Sequence, residues 1–136
     1  MLARREHTRR ELTRKLAPFT ENAAEIPGLL DDFERRGWLS EERVVEQVLV
    51  SRRRRFGAQR IVHELREKGI SNALLANARE KLQQSELETA RDLWRRKFKV
   101  APSDARERAR QMRFLQGRGF GVDVIRKVVS GNDDDA

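Results

Sequence analysis

Cysteine is absent from all 136 residues, which excludes disulfides and thiolate-bound metals and fits a reducing, cytoplasmic setting. No stretch approaches the apolar length needed to span a bilayer, and no apolar signal-peptide core follows Met1. Proline occurs only three times, so long helices meet few breakers. Histidine occurs twice, as His7 and His63, and neither stands beside a second ligand at a metal-like spacing. Both read as solvated or capping residues, and no metal or cofactor is expected. No Ser-His-Asp arrangement or nucleophile elbow is present, and the pairs Asp31-Asp32 and Glu41-Glu42 belong to a solvated face or a first helical turn. Gly117-x-Gly119-x-Gly121 resembles a phosphate loop, but a helix precedes it where a dinucleotide fingerprint needs a strand. The chain is not read as an enzyme.

Charge is what the chain has in quantity, and it is unevenly placed. The net charge is +8. Residues 1–19 carry six basic and two acidic groups, and residues 21–46 carry three basic and eight acidic. Residues 52–68 hold seven against two, and residues 91–118 ten against three. A surface selected only for solubility mixes its signs more evenly. An acidic first third followed by basic segments points to a polyanion, or to a protein partner with a charged groove.

Helical periodicity runs throughout. Ser40 caps a helix with Val44, Val45, Val48 and Leu49 on one face, and Ile61, Val62 and Leu65 follow from Ala58 to a stop at Gly69. Ser71 caps Leu74, Leu75, Ala78 and Leu82. Ser85 with Glu88 fits a capping box that opens a separate helix carrying Leu87, Ala90, Leu93, Trp94 and Phe98. Pro102 interrupts, Ser103 or Asp104 restarts, and Ala105, Ala109, Met112 and Leu115 lead to Gly119. The last helix carries Val124, Ile125, Val128 and Val129, before a polar tail. Breaks are expected near Gly37, Gly57, Gly69, Pro102 and Gly119, with no strand anywhere.

These pieces repeat. Glu11-Leu12 with Lys15-Leu16, Glu64-Leu65 with Lys68-Gly69-Ile70, and Leu115 with Arg118-Gly119-Phe120 are versions of one phrase, each followed by a paired apolar helix. Ten residues separate Leu65 from Leu75 and Leu115 from Ile125, whereas eighteen separate Leu12 from Leu30, the first loop being longer. Leu12, Leu65 and Leu115 recur at intervals of 53 and 50. A helical period near fifty is an array of three-helix units, each a lead helix, a motif helix and a closing helix. The fold class read from this pattern is all-α, tandem three-helix repeats in an array. The units are 1–39 (its lead helix largely missing, with only Met1 to Arg5 before the motif helix), 40–84 and 85–131, and 132–136 is a polar tail. Phe33, Trp38, Trp94 and Phe98 are read as packing residues inside these trios.

Four phrases carry a resemblance: Arg5-Glu6-His7-Thr8-Arg9-Arg10-Glu11-Leu12; Gly37-Trp38-Leu39-Ser40-Glu41-Glu42-Arg43; Gly57-Ala58-Gln59-Arg60-Ile61-x-x-Glu64-Leu65-x-x-Lys68-Gly69-Ile70; and Phe114-Leu115-x-x-Arg118-Gly119-Phe120. In this order and spacing, from about Ala3 to Val129, the chain resembles the RecX regulators of the RecA recombinase. The resemblance implies an elongated, curved array of the repeats, and a non-catalytic monomer of the cytoplasm that acts in DNA repair, recombination and the SOS response. It implies binding in the helical groove of the RecA filament on single-stranded DNA, limiting ATP hydrolysis, strand exchange and filament growth. Single-stranded DNA, and double-stranded DNA as a further candidate, are the implied nucleic-acid partners.

The basic clusters stand at equivalent lead-to-motif joints of the second and third units. They are Arg52, Arg53, Arg54 and Arg55 with Arg60, and Arg95, Arg96, Lys97 and Lys99 with Arg106, Arg110 and Arg113. The plain reading of the four-arginine run is a helix end, where cations suit the negative pole of the dipole. Stacked units would instead set both joints on one edge, as a stripe for phosphates or for acidic loops of a filament. Two other functions compete. A stand-alone helix-turn-helix DNA-binding protein would need an exposed recognition helix, for which Ser71-Asn72 is the one candidate. A structural adaptor would act through the acidic residues 21–46.

Overall fold

The computed structural model describes residues 5–130, and among them every regular element is helical, with no strand. The polar tail 132–136 and the residues before Arg5 lie outside the described residues. The helices are α1 (Arg9–Leu16), α2 (Ile26–Arg35), α3 (Glu41–Arg52), α4 (Ala58–Glu67), α5 (Asn72–Lys97), α6 (Ala105–Gly117) and α7 (Val122–Val129). Short 3-10 turns at Ala17–Phe19 and Ala23–Glu25 fill the long first loop. None of the described helices is long and apolar enough to cross a membrane.

Capping side chains mark where three of the seven described helices begin, whereas Ser71, expected to cap α5, stands at its N-cap without a side-chain capping bond. Thr8 and Glu11 form a reciprocal capping box at the start of α1: the Thr8 hydroxyl accepts from the Glu11 amide at 3.1 Å, and the Glu11 carboxylate accepts from the Thr8 amide at 3.0 Å. Ser40 accepts from the Arg43 amide, and Asp104 from the Glu107 amide, each satisfying one orphan donor of a first turn. Three helix ends share one closing geometry. Trp38 donates to the Phe33 carbonyl (2.8 Å), Ile70 to Leu65 (3.2 Å) and Phe120 to Leu115 (3.3 Å), across Gly37, Gly69 and Gly119 at positive φ.

Packing follows the units. One core cluster joins Ile26, Leu30 and Leu39 with Leu12, Leu16 and Phe33. A second runs from Val44 to Leu82, and a third from Ala90 to Val129. Leu65 and Leu115 are both fully buried, each five residues before its turn's closing amide; Leu12 is half-buried and its helix runs into the Ala17–Phe19 turn instead. The tandem three-helix fold is therefore present as expected, with three cores in chain order.

Two expectations are corrected. Ser85 opens no helix: α5 is continuous for 26 residues. Leu82, Glu86 and Ala90 keep one buried stripe at four-residue spacing straight through the expected break, and that tertiary stripe overrides the local capping signal. The boundary drawn at 84 and 85 thus falls inside a helix that closes one trio and leads the next. Trp38 is 61% exposed, its ring tilted against Phe33 at 5.4 Å and covered by Arg36, so it caps the first unit from outside. Phe33, Trp94 and Phe98 are half-buried. Trp94 donates its indole N–H to buried Gln111 at 2.7 Å, and Gln111 donates in turn to the Val100 carbonyl at 3.2 Å, tying α6 to the end of α5.

Candidate functional site

The arginines that close α3 divide their roles. Arg52 is half-buried and donates to Glu64 of α4 at 3.1 Å, joining lead and motif helices. Arg53 and Arg54 are exposed and line an open cleft of about 540 Å³. Its other wall is α5, with Ser85, Glu88, Asp92 and Arg96 at helical spacing on one face. The structure thus brings Arg53 and Arg54 of one joint to Arg96 of the next, across a cleft that also holds two carboxylates. Arg55 turns away, its guanidinium 5.6 Å from the Phe56 ring centre, where it also donates to the Ser51 carbonyl.

Phe56 collects more than Arg55. Arg60, in the first turn of α4, lies 4.2 Å over the same ring and donates to the Gly117 carbonyl at 3.1 Å. Arg118 reaches it from the turn after α6, at 5.6 Å, and donates to the Arg55 carbonyl. Arg118 also lies 5.3 Å from Phe114, whose ring is 5.7 Å from the Lys97 ammonium. Phe114 meets Phe98 edge-on at 5.4 Å, and Arg110 covers Phe98 at 5.2 Å. Arg55, Arg60, Arg118, Lys97 and Arg110 therefore form one ladder on the rings of Phe56, Phe114 and Phe98, crossing from the second trio to the third. Arg95, Lys99, Arg106 and Arg113 are exposed beside it in sequence, and Lys99 adopts a positive φ of 69° in the link before α6.

Four of the expected site residues, Arg55, Arg60, Lys97 and Arg110, are joined in this ladder, while Arg52 is engaged in a structural pair. Arg118, Phe56 and Phe114 were not singled out as site residues by sequence. Phe114 and Arg118 occur in the repeated phrase as helix and turn residues, and nothing local signals that Arg118 reaches back to the preceding unit.

Charge in the ladder is largely uncompensated. Among the described residues no carboxylate pairs with Arg55, Arg60, Lys97 or Arg118; only Arg110 has one, Glu107 at 2.9 Å. The polar contacts of the three arginines go to neutral carbonyls. A guanidinium stacked on a ring gains about 0.5–1 kcal/mol at an exposed site and keeps its N–H edge available for bidentate contact with an oxyanion. The arrangement suits capture of phosphate or carboxylate groups. It offers no nucleophile activated by a base: His7 meets the Lys15 ammonium at 3.0 Å and His63 is exposed on α4.

The acidic end is differently used. Arg9 bridges Glu34 and Asp31, and the Glu34 hydrogen bond leads in holding its guanidinium above the ordinary value despite some burial. Asp32 takes Arg35 and Arg36, and Glu6 pairs with Arg43. Residues 21–46 therefore engage several of their carboxylates in surface ion pairs within the chain. At the candidate recognition helix, the Ser71 amide donates to Glu41 at 2.7 Å, which sets a carboxylate at the helix start where a phosphate would have to approach. Between the first two units, Glu11 bonds Lys68 at 3.1 Å. Burial pushes the Glu11 carboxyl up, but the Thr8 amide and Lys68, with Arg5, outweigh it and hold the group below the usual glutamate range.

The family model described as the second three-helix domain of RecX matches residues 40–78, and that of the third three-helix domain matches residues 84–129. The chain is 52% identical over 128 residues to the regulatory protein RecX of Leptothrix cholodnii, covering 94% of this chain and 82% of that one. It is 43% identical over 135 residues to that of Chromobacterium violaceum (99% and 88%). It is also 43% identical over 137 residues to that of Pseudomonas fluorescens (99% and 88%).

Proposed function

The chain belongs to the RecX family of regulatory proteins, and from that premise we propose that it binds the RecA recombinase filament on single-stranded DNA and restrains it. In this reading the molecule is a cytoplasmic monomer that lies in the filament groove and limits ATP hydrolysis, strand exchange and filament growth. Its repeats are taken as 1–39, 40–84 and 85–131, the last two sharing α5. The observation that supports the reading best is the ladder on Phe56, Phe114 and Phe98, where cations with neutral partners cross two units on one face. A groove lined with phosphates or acidic loops would be met by repeated cations at more than one unit. Arg53, Arg54, Arg95, Arg96, Lys99, Arg106 and Arg113 would extend the same strip.

The test is RecA ATP hydrolysis on single-stranded DNA, measured with and without the protein, and with a variant carrying Arg60→Ala and Arg118→Ala. The protein should lower the steady-state rate, and the variant should need a higher concentration for the same effect. If the unsubstituted protein leaves the rate unchanged at saturation, the regulatory reading is wrong. Binding to DNA alone then separates targets: a variant that fails to inhibit but keeps DNA affinity shows that these arginines meet the recombinase.

A further inference from the structure

We propose that Glu86 is a positioning residue: a buried clasp that holds the second and third units at one angle, so that their basic joints present a single strip. This rests on the strip being the binding surface, as read above. Glu86 lies in the middle of α5 and is only 8% exposed. One carboxylate oxygen accepts from the Ala58 amide at 3.2 Å and the other from the Gly121 amide at 3.4 Å. The Ala58 amide is the first of α4, a helix of the second unit, and the Gly121 amide belongs to the N-cap residue of α7, a helix of the third. Both helices have glycine at the N-cap, Gly57 and Gly121, and so have no capping side chain of their own. One side chain on the shared helix therefore caps two helices in different units, with the positive ends of both dipoles directed at it.

The backbone closes around the same point. The Gly57 amide donates to the Arg118 carbonyl at 2.7 Å, and the Gln59 amide to the Gly119 carbonyl at 3.2 Å. The turn that Glu86 secures thus carries Arg118, the rung that links Phe56 to Phe114. Tilting α7 and its turn away from α4 would break the ladder at that rung while leaving each unit's core intact. The chemistry requires a carboxylate. Two converging N–H donors need two acceptor oxygens, whereas a glutamine supplies one and sets an NH₂ donor against the other amide. An aspartate is one methylene short.

The chain lacks cysteine, so spin labels at His63→Cys on α4 and Lys127→Cys on α7, both exposed, report the distance across the joint by pulsed electron resonance. The full chain should give one narrow distribution. With Glu86→Gln the helical circular dichroism should persist, while the distribution broadens. Single-stranded DNA binding should weaken, with its salt slope shallower by about 0.7 for each phosphate no longer neutralised. Gly57→Ala pries the same joint from the opposite side and should broaden the distances in the same way, which keeps the test open if Glu86→Gln does not fold. A distribution as narrow as that of the unsubstituted chain in both variants overturns the clasp. Broadened distances with unchanged DNA affinity, unchanged slope and unchanged inhibition of the recombinase overturn the positioning of the strip. If Arg60→Ala and Arg118→Ala leave both DNA binding and inhibition of the recombinase intact in the native frame, the strip is not the binding surface and that reading falls, and the clasp then stands or falls on the distances alone.

Discussion

A Cβ placed on Gly57 would come within 2.4 Å of the Gly119 carbonyl oxygen, so the two turns touch backbone to backbone. The contact is reciprocal, since a Cβ on Gly119 would meet the Arg60 Cβ at 2.4 Å and the Arg60 amide nitrogen at 2.8 Å. Side chains longer than a hydrogen cannot occupy either position without parting the units.

Gly119→Ala should therefore destabilise the protein. Its φ of +93° alone costs an L-residue about 1–2 kcal/mol, and displacing the Arg60 backbone adds to that. Gly117→Ala, two residues earlier and open on all sides, should be neutral or gain up to about 1 kcal/mol of helix propensity. Urea unfolding of both variants checks the contrast. Equal effects would mean that the turns do not touch in solution.

Leu65→Ala should cost about 2–5 kcal/mol, since the side chain is fully buried in the second core and its removal leaves a cavity. A loss within about half a kcal/mol would place Leu65 at the surface and refute the helix register.

Stability should fall with acid through Glu11. Its folded carboxyl titrates below the usual glutamate range, so its contribution is complete above about pH 4.3, the unfolded value. It fades as the pH drops toward the lowered folded value. Glu11→Gln should be less stable than the native chain at pH 7, and the gap should close at pH 3. A gap that is the same at both pH values would show that the carboxylate is not selectively stabilised in the fold.

Replacing Arg52, Arg53, Arg54 and Arg55 together by alanine should leave the helices folded, since alanine is a good helix former. The salt slope of single-stranded DNA binding should shallow by about 0.7 for every phosphate the run had neutralised. Arg52→Ala alone should leave the slope unchanged, because Arg52 is paired to Glu64, and should cost less than about 1 kcal/mol for a partly exposed pair. If the quadruple variant keeps full affinity for DNA and full inhibition of the recombinase, the run is only a helix terminus.

The elements legible in the sequence were those set by local chemistry. Ser40, Asp104, Gly37, Gly69 and Gly119 fix helix ends through bonds within a few residues of themselves, so their positions were readable. Ser85 misled for the same reason: its spacing to Glu88 satisfies a local rule, while the outcome was decided by Leu82, Glu86 and Ala90 packing against two units at once. The basic joints were visible as runs of arginine. That Arg118 would tie them together depends on a contact 63 residues away in sequence, to the Arg55 carbonyl, for which no periodicity carries a signal.

The shared helix α5 also makes its own length a coded quantity. Each residue added to a helix advances it by about 1.5 Å and turns everything downstream by about 100°. A single insertion between Leu82 and Ala90 would swing the third unit around the axis and send Arg118 to another side of the molecule. The loop between Ala17 and Ala24, with its two 3-10 turns, can gain or lose residues without any such change of phase. Length variation among proteins built on this plan should accordingly collect in that loop and avoid α5, a pattern that sequencing alone can reveal.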